Sequence, residues 1–364
     1  MTTVLDLTTD PRRLHGRGAL SNAVGRFEKE TRFLTDDGWN EPDDEPVPKL
    51  KTEIFRDSTR TIIARNTSPD ISFNQSINPY RGCEHGCIYC FARPTHAYLG
   101  MSPGIDFETK LFAKPDAATL LRKELSAPGY KPQVIAMGTN TDPYQPIERK
   151  MRITRSLLEV MAEFSNPVGI VTKSPLILRD LDILAPMAER GLAKVALSVT
   201  TLDRKLARMM EPRAGTPPRR LNAIKELNAA GVPAAVMFAP CIPALNDEEM
   251  ESVLSAAKEM GARSAGYVLL RLPLEIKDLF REWLEANVPG RAKHVMSLVR
   301  SMRGGKDYDS AWHERMRGRG PYADMIAHRF HLAIKRLGFN QEHRSLDVTQ
   351  FKRPVQAGDQ LSLL

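Results

Sequence analysis

Ile71-Ser-Phe-Asn-Gln-Ser-Ile-Asn78 reads as a strand running toward Arg81-Gly-Cys-Glu-His-Gly-Cys-Ile-Tyr-Cys-Phe91. Three thiols, Cys83, Cys87 and Cys90, therefore fall within eight residues on the loop that ends this strand. Thiols this close can converge on one metal centre. Three thiolates can hold three irons of a cubane and leave the fourth iron open, and an open position separates a catalytic metal site from a closed structural one. Two plainer readings stand beside it. A structural zinc site wants four ligands, and His85, inside the same loop, is the nearest candidate for the fourth. Three buried thiols without metal are the other, since free cysteine behaves as a small hydrophobe.

Working outward, short β-rich runs recur at Gln133–Met137, Pro167–Thr172, Lys194–Val199, Val232–Phe238 and Ala265–Leu270. Between them Asp116–Ser126, Thr154–Phe164, Leu178–Arg190, Pro217–Ala230 and Asp247–Met260 carry helical spacing of apolar residues. Pro217-Pro218 opens one of these helices, and Gly191, Gly231 and Gly261 follow three, the usual asymmetry of helix ends. Strands alternating with helices predict βαβ units and an α/β fold with buried parallel strands. Six units do not close an eight-stranded barrel.

The C-x3-C-x2-C spacing with Tyr89 before the third cysteine resembles the signature of the radical S-adenosylmethionine (radical SAM) superfamily. The resemblance implies a partial (β/α)6 TIM-like barrel over residues 51–285, an N-terminal extension over 1–50 and a C-terminal helical region over 286–364. It further implies a [4Fe-4S] cluster on Cys83, Cys87 and Cys90, with S-adenosylmethionine on the open iron. That molecule would be cleaved reductively to a 5′-deoxyadenosyl radical, with flavodoxin or ferredoxin as the kind of electron donor. Cys87-Ile-Tyr-Cys-Phe91, Gly138-Thr-Asn-Thr-Asp142, Val171-Thr-Lys173, Leu197-Ser-Val199, Glu211-Pro-Arg-Ala-Gly-Thr-Pro217 and Phe238-Ala-Pro240 are similar to blocks of the spore photoproduct lyase-like branch. Spore photoproduct lyases carry a hydrogen-donating cysteine near the end of the second strand. Met137-Gly138-Thr139 stands there in this chain, so the likeness does not extend to thymine-dimer repair.

Each of these positions has a physical reading at the C-terminal mouth of the strands, where loops carry chemistry. Lys173 can meet a carboxylate, and Ser198 can donate a hydroxyl to a carboxylate or ribose. Backbone carbonyls of Gly138, Thr139 and Asn140 can accept from an ammonium, and Tyr89 can pack beside adenine. Arg213 is a second candidate for the carboxylate, or else a partner of Glu211. Asp142 is either a turn starter or a substrate residue, and Tyr144 and Glu148 are candidates for the substrate face. Cys241, after Ala239-Pro240, is either a hydrogen-atom donor or a small buried filler.

Composition bounds the rest. Hydrophobic residues make up 42% of 364 and charged residues 26%, ordinary for a globular protein. Four cysteines are too few for a disulfide scaffold and fit a reducing, cytoplasmic setting. Met1–Asp6 lacks a secretory pattern, and the longest apolar run, Val232–Leu245, is broken by three prolines. A net charge of +8 suits a polyanion, which makes nucleic acid a candidate partner. A basic stretch with Arg12, Arg13, Arg17, Arg26, Lys29 and Arg32 precedes an acidic one from Asp36 to Glu45, which predicts a loosely packed extension. Helices are expected at Ala292–Met302 and Met325–Arg336. The Gly- and Arg-rich segment between them, with Tyr308, Trp312 and, just beyond, Tyr322, reads as a loop over the open side of the sheet or as a strand-tracking surface.

Overall fold

Runs rich in Ile, Val and Ala make parallel strands here because helices cover them. The computed structural model describes residues 16–28, 50–341 and 345–354. The strands are β1 (Glu53–Arg56), β2 (Ala64–Arg65), β3 (Gln75–Ile77), β4 (Tyr80–Arg81), β5 (Lys110–Ala113), β6 (Ile135–Met137), β7 (Val168–Thr172), β8 (Ala193–Ser198), β9 (Ala234–Cys241) and β10 (Ser264–Leu269). The main sheet has the order β10-β9-β8-β7-β6-β3-β2. Its first six members run parallel, and β2 lies antiparallel along β3. Each parallel strand pairs with its successor in the chain, the arrangement that a helical crossover after every strand produces. All six strands expected from the sequence are present. Among the described residues β10 does not pair with β3, so the sheet forms no closed barrel.

The helices supply the outer layer. Ile153–Phe164 buries Leu157, Leu158, Met161 and Phe164, one stripe of the helix against the sheet. Each such fully buried side chain contributes about 1.5–3 kcal/mol relative to exposure. Ser174 caps the turn after β7 by accepting from the Leu176 amide, and Asp203 caps Arg204–Met210 by accepting from Lys205 and Leu206. No helix among the described residues is long and apolar enough to cross a membrane.

A second, three-stranded sheet, β1-β5-β4, flanks the cysteine loop and was absent from the sequence expectation. β4 leads directly into that loop, and β5 follows the turn that packs under it. The helix Ile276–Asn287 was also missed. It runs through residue 285, so secondary structure is continuous across the expected boundary there.

The segment 302–320 links the two edges of the parallel sheet. On the β10 side the Leu269 amide donates to the Met316 carbonyl, and the buried Arg303 donates to the Leu270 and Glu314 carbonyls. On the other side Arg315 bonds Asp70 and Ser68, and the His313 amide donates to Asp70, just before β3. This is the covering loop of the sequence reading, although Trp312 within it is 58% exposed. Of the expected loose leader, residues 16–28 are described, and Arg17, Ala19 and Ser21 are buried. Arg12, Arg13, Lys29, Arg32 and the acidic stretch lie outside the described residues.

Candidate functional site

The cysteine loop is held from three sides by groups that satisfy its backbone. The Cys83 amide donates to the Phe107 carbonyl, and the Ile88 amide to the Met210 carbonyl. The Glu84 amide donates to Gln145, which returns a bond to the Gly82 carbonyl. Arg93 is fully buried and donates to the carbonyls of Gly86, Cys87, Pro103 and Gly104 and to the Glu108 carboxylate at 2.5 Å. Glu108 in turn accepts from the Gly18 and Ala19 amides, at 3.0 and 2.9 Å. The chain at Gly18 lies so close that a Cβ there would stand 1.8 Å from the Gly86 carbonyl oxygen. A strap from the leader thus locks the loop through one buried ion pair.

Cys83 and Cys87 are 6% and 7% exposed, and Cys90 is half-buried. Burial pushes all three thiols up, Cys87 to about 12 against the opposing pull of Lys173. A metal centre reverses that balance, because a coordinating thiol is deprotonated outright. Among the described residues no three His, Cys, Asp or Glu side chains gather closely enough for a single metal ion. His85 is turned aside, with Nδ1 3.4 Å from Asp142 Oδ2. Three cysteines on one loop, with His85 turned to Asp142, are one ligand short of a closed zinc site and match the three-thiolate set of a cluster with an open iron. The donor set of three cysteines on one braced loop fits that group.

Lys173 ends the segment after β7, and its ammonium lies 5.6 Å from the centre of the Tyr89 ring. It has no carboxylate within ion-pair distance among the described residues, and its charge acts on Cys87, Cys90 and Glu211. It is a free cation directed at the cysteine loop. Ser198 is buried at the end of β8, its carbonyl taken by Arg220 and its hydroxyl without a hydrogen bond among the described residues. Gly138 follows β6 with φ 82°, where a Cβ would stand 1.9 Å from the Val171 carbonyl oxygen. The amides of Asn140 and Thr141 bind Asn78, and its side-chain amide donates to the Thr139 hydroxyl at 3.3 Å. The carbonyls of Gly138, Thr139 and Asn140 accept no loop or side-chain hydrogen bond among the described residues.

Behind Tyr89 lies a buried network in which Glu211 takes Arg220 and not Arg213, the partner that was one of two alternatives in the sequence. Glu211 pairs with Arg220, and accepts from Tyr89 and from Thr200. Arg220 also donates to the carbonyls of Gly215 and Ser198. Burial would raise the Glu211 carboxyl, but Arg220 and then Lys173 outweigh it and hold it at about 2. Arg213 pairs instead with Glu84 at 3.1 Å, and its amide donates to the His85 carbonyl. Only the position of Arg220 in the first turn of Pro217–Ala229, facing inward, could have signalled its role.

Other expectations resolve as structure. Asp142 makes the turn itself, accepting from the Tyr144 amide, and it ties β7 to the loop through Thr172, the Lys173 amide and His85. Burial alone would raise its carboxyl; His85, with those donors, holds it at about 2. Tyr144 and Glu148, the candidates for the substrate face, are fully buried. Tyr144 donates to Asp180, and Glu148 accepts from Tyr80, Arg179 and the Thr154 amide. Cys241 is fully buried in the apolar cluster that holds Val236, Phe238, Val253 and Leu254. It packs in a different apolar cluster from the three loop cysteines, and Asp247, Arg329 and Glu251 are the charged groups that act on it.

A family model described as the radical SAM superfamily matches residues 77–257. An uncharacterised protein of Mycobacterium tuberculosis is 37% identical over 232 residues, 63% of this chain and 68% of that one. An uncharacterised protein of Methanocaldococcus jannaschii is 26% identical over 239 residues, 66% of this chain and 85% of the other. Among solved structures, a spore photoproduct lyase complexed with dinucleoside spore photoproduct aligns with a TM-score of 0.53 at 16% identity, over 78% of each chain. A variant of that lyase with bound AdoMet (S-adenosylmethionine) and dinucleoside spore photoproduct aligns at 0.54 and 14%, again over 78% of each. These two likenesses concern the fold.

Proposed function

The chain belongs to the radical SAM superfamily of enzymes, and from that premise we propose that it binds a [4Fe-4S] cluster through Cys83, Cys87 and Cys90 and docks S-adenosylmethionine beside it. Members of the superfamily use both groups. Held by the three cysteines, such a cluster would supply the one electron for reductive cleavage of S-adenosylmethionine to a 5′-deoxyadenosyl radical, the species that would abstract hydrogen from a substrate. The six parallel strands of the main sheet read as a partial (β/α)6 barrel with this site at its mouth.

This chain's own residues have definable tasks. Lys173 meets the carboxylate of the methionyl part, since its ammonium forms no ion pair among the described residues. The free carbonyls of Gly138 to Asn140 accept from the ammonium, and the unbonded hydroxyl of Ser198 completes the set. Tyr89 presents a ring face locked by Glu211, Thr200 and Arg220, so it orients a ligand without moving. Arg93 and Glu108 hold the loop in one shape from inside the fold, since both are fully buried. The reductant is a small electron carrier of the flavodoxin or ferredoxin kind. Nucleic acid is the substrate class supported by the net charge of +8 and by the fold shared with a lesion-bound lyase.

The observation that carries the reading is an unpaired lysine directed at three cysteines on one braced loop at the strand mouth. Anaerobic reconstitution, with paramagnetic resonance of the dithionite-reduced protein and assay of 5′-deoxyadenosine, tests it. Wild type gives both signals and Cys87→Ala neither. Stoichiometric zinc with no cluster signal would overturn the proposal.

A further inference from the structure

A cavity of about 140 Å³ opens where the ends of β6 and β7 meet the segment after Arg204–Met210. Arg149, Arg213, Arg219 and His85 line it, together with Ser174 and Gly215. His85 comes from the cysteine loop itself, but none of Cys83, Cys87, Cys90 or Lys173 lines the cavity, so it lies beside the three thiols rather than at them.

Its charge is unbalanced. Three exposed arginines line it, and the carboxylates nearby are already engaged. Glu84 holds Arg213 and accepts from Thr52. Asp142 is occupied by Thr172, two backbone amides and His85. Among the described residues neither Arg149 nor Arg219 has a carboxylate partner. Pro217–Ala229 begins at this cavity, and Thr216 leaves its first turn without a side-chain cap. Pro217 and Pro218 carry no amide hydrogen, so the helix adds a positive field there rather than donors at its first two positions.

Like charges around a concavity concentrate anions, and the planar fork of arginine matches a tetrahedral oxyanion. The volume decides the size of the ligand. Sites for whole organic ligands run from about 300 Å³ upward, and this cavity holds one compact group. We infer that it is a binding site for a single phosphate group, free or carried on a larger molecule, with Arg149 and Arg219 as its unpaired ligands and Arg213 as its shared one. The inference stands apart from the radical chemistry, because phosphate binding here needs neither cluster nor S-adenosylmethionine.

The test uses the full-length reconstituted protein, saturated with S-adenosylmethionine, in low salt. Calorimetric titrations are run with inorganic phosphate, thymidine 5′-monophosphate, a short oligothymidylate and, as control, thymidine. At least one phosphate probe binds while thymidine does not, and Arg149→Gln/Arg219→Gln raises Kd about tenfold or more. S-adenosylmethionine cleavage stays at its wild-type rate in that variant. Preference for the oligonucleotide, with affinity falling steeply with salt, identifies a strand phosphate. Equal binding of phosphate and the mononucleotide identifies a small-molecule phosphate. Arg149→Lys/Arg219→Lys, which keeps the charge and loses the fork, gives intermediate values. The inference is overturned if no phosphate probe binds, if thymidine binds as well as its monophosphate, or if the double glutamine variant keeps the wild-type Kd.

Discussion

The guanidinium of Arg271 stands 4.6 Å over the ring of Phe91, which joins the end of the last parallel strand to the loop of the first. Arg271 also reaches Tyr308 and Met316, while its Nε is buried without a hydrogen-bond partner. The two sheet edges therefore meet across the mouth through one cation–ring contact. A double-mutant cycle of Phe91→Leu and Arg271→Gln, read by chemical denaturation, should give a coupling energy of about 0.5–2 kcal/mol. Additive effects would show that the contact contributes nothing.

The Glu211–Arg220 pair is buried on both sides. Glu211→Gln leaves a buried guanidinium without its counter-charge and should cost about 3–5 kcal/mol in unfolding free energy. Replacing both members by apolar residues of similar volume should cost less than either single change. A smaller loss in Glu211→Gln than in the double variant would contradict this.

Acid stability follows from the same carboxylates. Glu211 and Asp142 both have folded values near 2, below their ordinary values of 4.5 and 3.8. A depressed carboxylate stabilises the fold above its unfolded value and loses that contribution as pH falls through the folded one. Unfolding free energy should therefore decline from about pH 4.5 down to about pH 2. Denaturation across this range checks it. Glu211→Gln and Asp142→Asn should each flatten the slope, and an unchanged slope would argue against the assignment.

The strap gives a prediction about metal content. Gly18→Ala drives a methyl group into the Gly86 carbonyl, so iron and sulfide per chain should fall after identical reconstitution. Gly129→Ala, where a Cβ meets nothing within 4 Å, should leave metal content unchanged and shift stability by no more than about 0.5 kcal/mol. Equal iron in both variants would remove the strap from any role in holding the loop.

Lys173→Met removes the cation directed at the loop and leaves its stem. The Kd for S-adenosylmethionine should rise about tenfold or more, with cluster absorbance retained. Retained affinity would move the carboxylate contact to another residue.

The parallel strands were legible in the sequence as short apolar runs between turn residues, although in β7 and β8 full burial largely alternates along the strand and Val171 and Lys194 are exposed. β1 was not legible, since all four of its residues are exposed and its partner β5 comes more than fifty residues later. Tyr89, Lys173 and Ser198 could be placed because strand polarity carries them to one end of the sheet. Arg220 could not, because an arginine in a first helical turn reads as solvated until the fold turns it inward. Arg93 and Glu108 carried no signal either. Buried charge is recognised by its partner, and that partner lies fifteen residues away in an irregular segment. Cys241 read either as a hydrogen-atom donor or as a filler, and its full burial in the apolar cluster suits the second.

The leader strap also bears on the order in which the molecule is built. Gly18 and Ala19 leave the ribosome early, yet their acceptor, Glu108, follows about ninety residues later. A closure over that span forms after local helices and hairpins, because its entropy must be met before any contact rewards it. Until then the thiol-bearing turn has an unlatched side, which gives iron delivery a window during maturation. The amides of Gly18 and Ala19 should accordingly be among the last to gain protection in pulsed hydrogen exchange during refolding.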